Sequence, residues 1–145
     1  MAETLGSLCD KLTIVKLKQW HSEDPARQQS LAGQQAQLQQ EIDEFVAAAA
    51  AGAIPPERLT FAANKVYKKE GNAVPVTSGS LAEVFSKLAE VNCRLWHEVE
   101  KGYDIERVPP DQKDGLIKQL AVLNLERTQC IDEIDRQFAR LVRPT

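Results

Sequence analysis

S-L-A-E-V-F-S-K-L-A-E-V-N-C-R-L-W-H-E-V-E, from Ser80 to Glu100, reads as an amphipathic helix from end to end. Leu81, Val84, Leu88, Val91, Leu95 and Val99 recur three and four residues apart, the spacing that lays side chains along one face of a helix. Ser80 followed by Glu83 is a capping box: the serine side chain accepts from one free amide of the first turn, and the glutamate reaches back to another. Pro109-Pro110 breaks the chain after this helix.

Helical spacing continues on both sides. Downstream, Leu116, Leu120, Leu123, Ile131, Ile134, Phe138 and Leu141 carry a long helix from Pro110 to about Leu141. At the amino end a helix is expected from about Thr4 to His21. Leu5, Leu8, Leu12 and Val15 line one side of it, and Ile14, Leu17 and Trp20 a second. Lys11 and Lys18 mark its solvent strip, and a helix apolar over so much of its circumference belongs at the centre of a bundle. Asp24-Pro25 starts the next helix, with the acid at the N-cap and proline at the first helical position. Leu31, Leu38, Ile42 and Phe45 form its inner face, its glutamine-rich first half is read as mostly solvated, and Gly52 with Pro55-Pro56 ends it. A short helix is expected from Pro56 to about Glu70, then a loop from Asn72 to Gly79, with Ala73 to Thr77 as the nearest thing to a strand. The fold class is all-α: one domain, residues 1–145, with four main helices in a bundle and one short extra helix between the second and third.

Composition narrows the function classes. With 43% apolar and 27% charged residues the chain is that of an ordinary folded domain. Its longest apolar run, Phe45 to Ala51, is too short for a bilayer, and the amino terminus lacks a secretory pattern, so no membrane association and a cytoplasmic location are expected. A net charge of −3 gives no electrostatic case for nucleic acid. Cys9, Cys93 and Cys130 form no CxxC pair and read as reduced thiols. The lysines of Asn64 to Asn72 read as a solvated helix end.

Polar residues interrupt the apolar stripes at three places. Arg127 falls between Leu123 and Ile131, Asn92 between Leu88 and Leu95, and Asp10 on the line of Ile14, Leu17 and His21. A lone guanidinium is not tolerated in a core, so Arg127 requires a carboxylate; Asp10 and Glu100 are the best placed, with Asn124 flanking. Two readings stand side by side. One is a structural network that fixes helix register. The other is a ligand site where Arg127, with Lys16 or Arg94, receives an anionic small molecule oriented by Asn92 and Asn124.

Both tryptophans and both histidines lie in two Trp-His dipeptides, Trp20-His21 and Trp96-His97, in similar surroundings, which suggests two segments with similar packing roles. His21 with Asp24 and His97 with Glu100 have the reverse of the Glu-x-x-His order of helical di-metal proteins, so no metal and no cofactor is expected. Glu41/Glu44 and Asp132/Asp135 read as solvated acids. There is no phosphate loop or nucleophile elbow. The second and fourth helices are long for a small bundle, and Val122 and Leu125 lie off the main stripe, so a homodimer through one of these helices is expected.

L-C-D-K-L-T-I-V-K-L-K (Leu8–Lys18), Asn92-x-x-Leu95-Trp96-His97, and Leu123-Asn124-x-x-Arg127 continuing to Asp135 resemble small, uncharacterised bacterial helical proteins, notably domain-of-unknown-function family 4254 and its D-K-L-T-I-L relatives. The resemblance covers the first, third and fourth helices and finds no counterpart for Glu41 to Ser80. It implies a compact helical, bacterial, cytoplasmic protein whose genes often lie near glycosyltransferases of surface-polysaccharide synthesis, with no established catalytic activity. Matched by position, the shared polar residues are Asp10, Lys11, Asn92, Trp96, Glu100, Asn124 and Arg127. Val99 stands where the family commonly has glutamate, which puts any chemistry of that glutamate in doubt here.

Overall fold

The computed structural model describes residues 2–61 and 77–143. Four helices dominate: α1 (Leu5–His21), α2 (Pro25–Ala50), α3 (Leu81–Tyr103) and α4 (Lys113–Val142). Among the described residues there is no strand. Three-residue 3-10 turns at Ile105–Arg107 and Pro110–Gln112 carry the chain from α3 into α4. The expected helix from Pro56 is a 3-10 turn over Pro56–Arg58, and the chain leaves helical geometry by Thr60. The rest of that helix, the lysines of 64–72, and most of the loop and possible strand lie outside the described residues.

Helix ends follow local chemistry. Ser80 and Glu83 form the capping box of α3, and Thr4 and Ser7 form a second one at α1. Asp24 occupies the N-cap of α2 but makes no side-chain cap bond. The turn is tied instead by Gln28, whose amide donates to the carbonyls of Gln19 and Ser22 at 2.6 and 2.5 Å. Gly52, with φ of 75°, ends α2 in the left-handed region that glycine adopts without strain.

Contacts along the helices give their directions. Gly6 and Asp10 of α1 meet Asp135 and Arg127 of α4, so these two run antiparallel. Asp10 and then His21 meet Asn92 and then Trp96, so α1 and α3 run parallel. Gln19 meets Gln28 while the earlier Lys16 meets the later Gln35, which sets α2 antiparallel to α1. α1 packs against all three other helices, the central place that its two apolar sides require. The main core joins Leu5, Cys9, Ala49, Ile54, Leu59, Val84, Leu88, Cys130, Ile134 and Phe138, and Phe45 reaches Phe138 with ring centroids 6.1 Å apart. Val91, Leu95 and Leu123 form a second cluster. Each such buried side chain contributes about 1.5–3 kcal/mol relative to exposure.

One packing expectation needs correction. Leu141 is exposed, because in the last turn of α4 it is Ala139 and Val142 that pack against the core. The glutamine-rich start of α2 is mostly exposed, as expected, with Gln35 turned toward α1, where Lys16 and Gln19 both donate to its side-chain oxygen.

Candidate functional site

The three stripe-breaking residues meet. Asp10 on α1 is 4% exposed, and its carboxylate takes Arg127 of α4 bidentately: Nε donates to Oδ1 at 2.8 Å and Nη2 to Oδ2 at 2.5 Å. Asn92 on α3 is 1% exposed and donates from Nδ2 to Asp10 Oδ1 at 2.9 Å. The same nitrogen lies 2.7 Å from Thr13 Oγ1, and the Thr13 hydroxyl donates back to the Asp10 carbonyl at 2.7 Å. One carboxylate therefore joins three helices. Its fork-on-fork geometry with arginine is the strong form of the ion pair. The bond from Asp10 outweighs burial and raises the Arg127 pKa further, so the guanidinium stays charged.

The cluster is asymmetric. Asp10 is sealed, whereas the Arg127 side chain keeps 32% of its surface. Asn92 Oδ1 is buried with no hydrogen-bond partner among the described residues, as is the indole Nε1 of Trp96 one helical turn further along α3.

Four of the proposed residues lie elsewhere. Glu100 is exposed, 3.9 Å from His97 Nδ1, and does not approach Arg127. Eight residues beyond Asn92, it lies about 12 Å further along the axis. Asn124 is also exposed, and its amide donates to the Leu120 carbonyl at 3.1 Å. Three residues before Arg127 is about 60° around the helix, enough to turn it to solvent. Lys11, 100° from Asp10, pairs with Glu3. Trp96 is half-buried and stacks on His21 at a centroid separation of 4.9 Å.

The Trp-His dipeptides do not play matching parts. Trp20 is 87% exposed while Trp96 packs, and the two histidines meet with ring centroids 5.8 Å apart. Similar local sequence sets a side chain's neighbours along its own helix, but the helix's place in the bundle sets what lies across from it. No group of three or more histidine, cysteine or acidic side chains among the described residues is arranged to hold a metal.

A second polar contact was missed in the sequence. Asp135 of α4, read as solvated, is 1% exposed and accepts the Gly6 amide of α1 at 2.7 Å. Burial is the main influence on it and pushes its pKa up to about 6, against the opposing bonds from Gly6 and Thr4. The signal was available: Asp135 follows Ile131 by four and precedes Phe138 by three, the same arithmetic that singled out Arg127. Thr13, three after Asp10, was legible in the same way.

Burial likewise pushes the Cys9 thiol up to about 12 and raises that of Cys130, so neither is a ready nucleophile at neutral pH. A cavity of about 320 Å³ lies away from the cluster, lined by Ala2, Glu3, Glu57, Arg58 and Phe61. No described helix is long and apolar enough to cross a membrane. The chain matches no family model, no curated protein and no solved structure.

Proposed function

We propose that this chain is a non-enzymatic helical binding or assembly protein, cytoplasmic and accessory to bacterial surface-polysaccharide synthesis, that works as a homodimer. The observation that carries the non-enzymatic part is the closure of the polar cluster. Asp10 occupies both Nε and Nη2 of Arg127 and takes Asn92 as well, so the charged groups that would do chemistry are spent on one another. Such a network fixes the register of α1, α3 and α4. The link to glycan synthesis rests on the resemblance of Leu8–Lys18, Asn92–His97 and Leu123–Asp135 to the uncharacterised bacterial family. The dimer rests on helix lengths of 26 and 30 residues for α2 and α4 and on apolar side chains left in solvent, among them Ile117 on α4.

Light scattering at high micromolar concentration tests the assembly: a dimer mass is expected, and a monomer mass refutes it. A second reading is a small enzyme or binding protein that acts on a phosphorylated metabolite or nucleotide-sugar through this interhelical cluster. The buried Asn92 Oδ1, unpartnered among the described residues, and the partly open Arg127 favour it. A thermal-shift screen with inorganic phosphate, nucleotides and nucleotide-sugars separates the two, since a ligand that binds the folded state raises apparent stability by mass action. Stabilisation that Arg127→Met abolishes would favour this reading over a cluster that only fixes helix register.

A further inference from the structure

We infer that Asp135 and the first turn of α1 form a proton-responsive clasp, tightest when the carboxyl group is protonated and looser when it is ionised. The contact is a separate one from the Asp10 cluster, eight residues away along α4, and does not depend on the function proposed above.

The clasp is built for close approach. A Cβ placed on Gly6 would lie 2.5 Å from the Ile131 carbonyl oxygen and 2.8 Å from Asp135 Oδ1, so only glycine lets α1 come so near α4. The carboxylate held there is almost wholly buried, and its donors are neutral: the Gly6 amide at 2.7 Å and the hydroxyl of Thr4, itself fully buried. No cation among the described residues is within ion-pair distance of it. Of the charged or titratable groups facing it, α1 contributes the Cys9 thiol, and α4 contributes Asp132 and Arg136. Arg136 is committed elsewhere, with Nε and Nη2 both on Glu133 at 3.0 and 2.7 Å. Asp132 adds like charge. Ionisation thus places a buried charge, uncompensated by any ion pair, at the joint that holds the start of α1. The cost of burial outweighs the Gly6 and Thr4 bonds and the field of Arg136, which favour the ionised form.

The direction of the pH effect follows from that environment. An acid whose pKa rises on folding binds its proton more tightly in the folded state. Its stabilising contribution is full below the unfolded value and is lost as pH rises through about 6. A rise from 3.8 to about 6 corresponds to a loss of about a hundredfold in the folding constant. This runs opposite to the usual paired carboxylate, which stabilises a protein as pH increases.

The experiment uses the full chain and the isosteric Asp135→Asn, which keeps an acceptor for Gly6 without the charge. Denaturant unfolding of both proteins from pH 4 to 8 should show the asparagine variant gaining on wild type by up to about a hundredfold in folding constant across pH 4 to 6. Comparing the two removes the contributions of the other carboxylates. Carbon-detected NMR of the Asp135 carboxyl in wild type gives a second readout that needs no variant, with a midpoint near 6 expected. Protection of the Gly6 amide, corrected for intrinsic exchange, should fall through the same range in wild type alone. A titration midpoint at or below 4, a difference that does not vary with pH, or wild type gaining on the variant as pH rises would overturn the clasp.

Discussion

Removing Arg127 should damage this fold far more than removing its partner. Arg127→Met strands the Asp10 carboxylate, which is 4% exposed in the wild type, with Asn92 as its remaining side-chain donor from the cluster. Stripping one partner from a buried pair costs about 3–5 kcal/mol. Asp10→Leu is milder, because the Arg127 side chain already has a third of its surface in solvent and its head can turn outward, while Asn92 keeps Thr13. Loss of the direct bonds there is worth about 1–2 kcal/mol. Combining the two substitutions removes the stranded charge, and the double variant should lie within about 1–2 kcal/mol of wild type. The coupling energy is therefore about 4 kcal/mol, a large fraction of the roughly 5–15 kcal/mol that holds a domain folded. Urea unfolding of the four proteins at one pH and salt concentration measures it. A coupling below about 0.5 kcal/mol, or an Asp10→Leu penalty exceeding that of Arg127→Met, would refute the reasoning. An intact or firmer Arg127→Met variant that no longer binds a ligand would instead favour anion recognition.

Gly6→Ala should destabilise by about 1–3 kcal/mol through overpacking against Ile131, whereas Gly33→Ala, with nothing near its Cβ, should be neutral or gain about 0.5–1 kcal/mol in the same assay. Ser80→Ala should cost about 1 kcal/mol, seen as a lower urea midpoint with unchanged slope, because it opens the capping box of α3. Under native conditions at pH 7, a thiol-alkylating reagent followed by mass spectrometry should modify Cys93 before the buried Cys9 and Cys130. Protein purified without a histidine tag should contain no stoichiometric zinc, iron or manganese by elemental analysis, despite the closeness of His21 and His97.

The sequence by itself determined the four helices, the cap of α3 at Ser80, the start of α2 at Pro25, and the inward faces of α3 and most of α4. These depend on spacing and on residues within one turn, and such interactions are local. It also determined that Asp10, Asn92 and Arg127 face inward, since a single helix carries that information. Which carboxylate Arg127 chose was a tertiary matter. Glu100 and Asp10 both suited the charge, and the axial level of α1 against α4 selected Asp10. The same holds for Trp20 and Trp96, alike in local sequence and unlike in burial, because Trp20 turns off α1 into solvent while Trp96 faces His21. Asp135 marks the boundary between the two kinds of information. Its position on α4 was readable, but its meeting with Gly6 required two helices in register at a separation that only a missing Cβ allows.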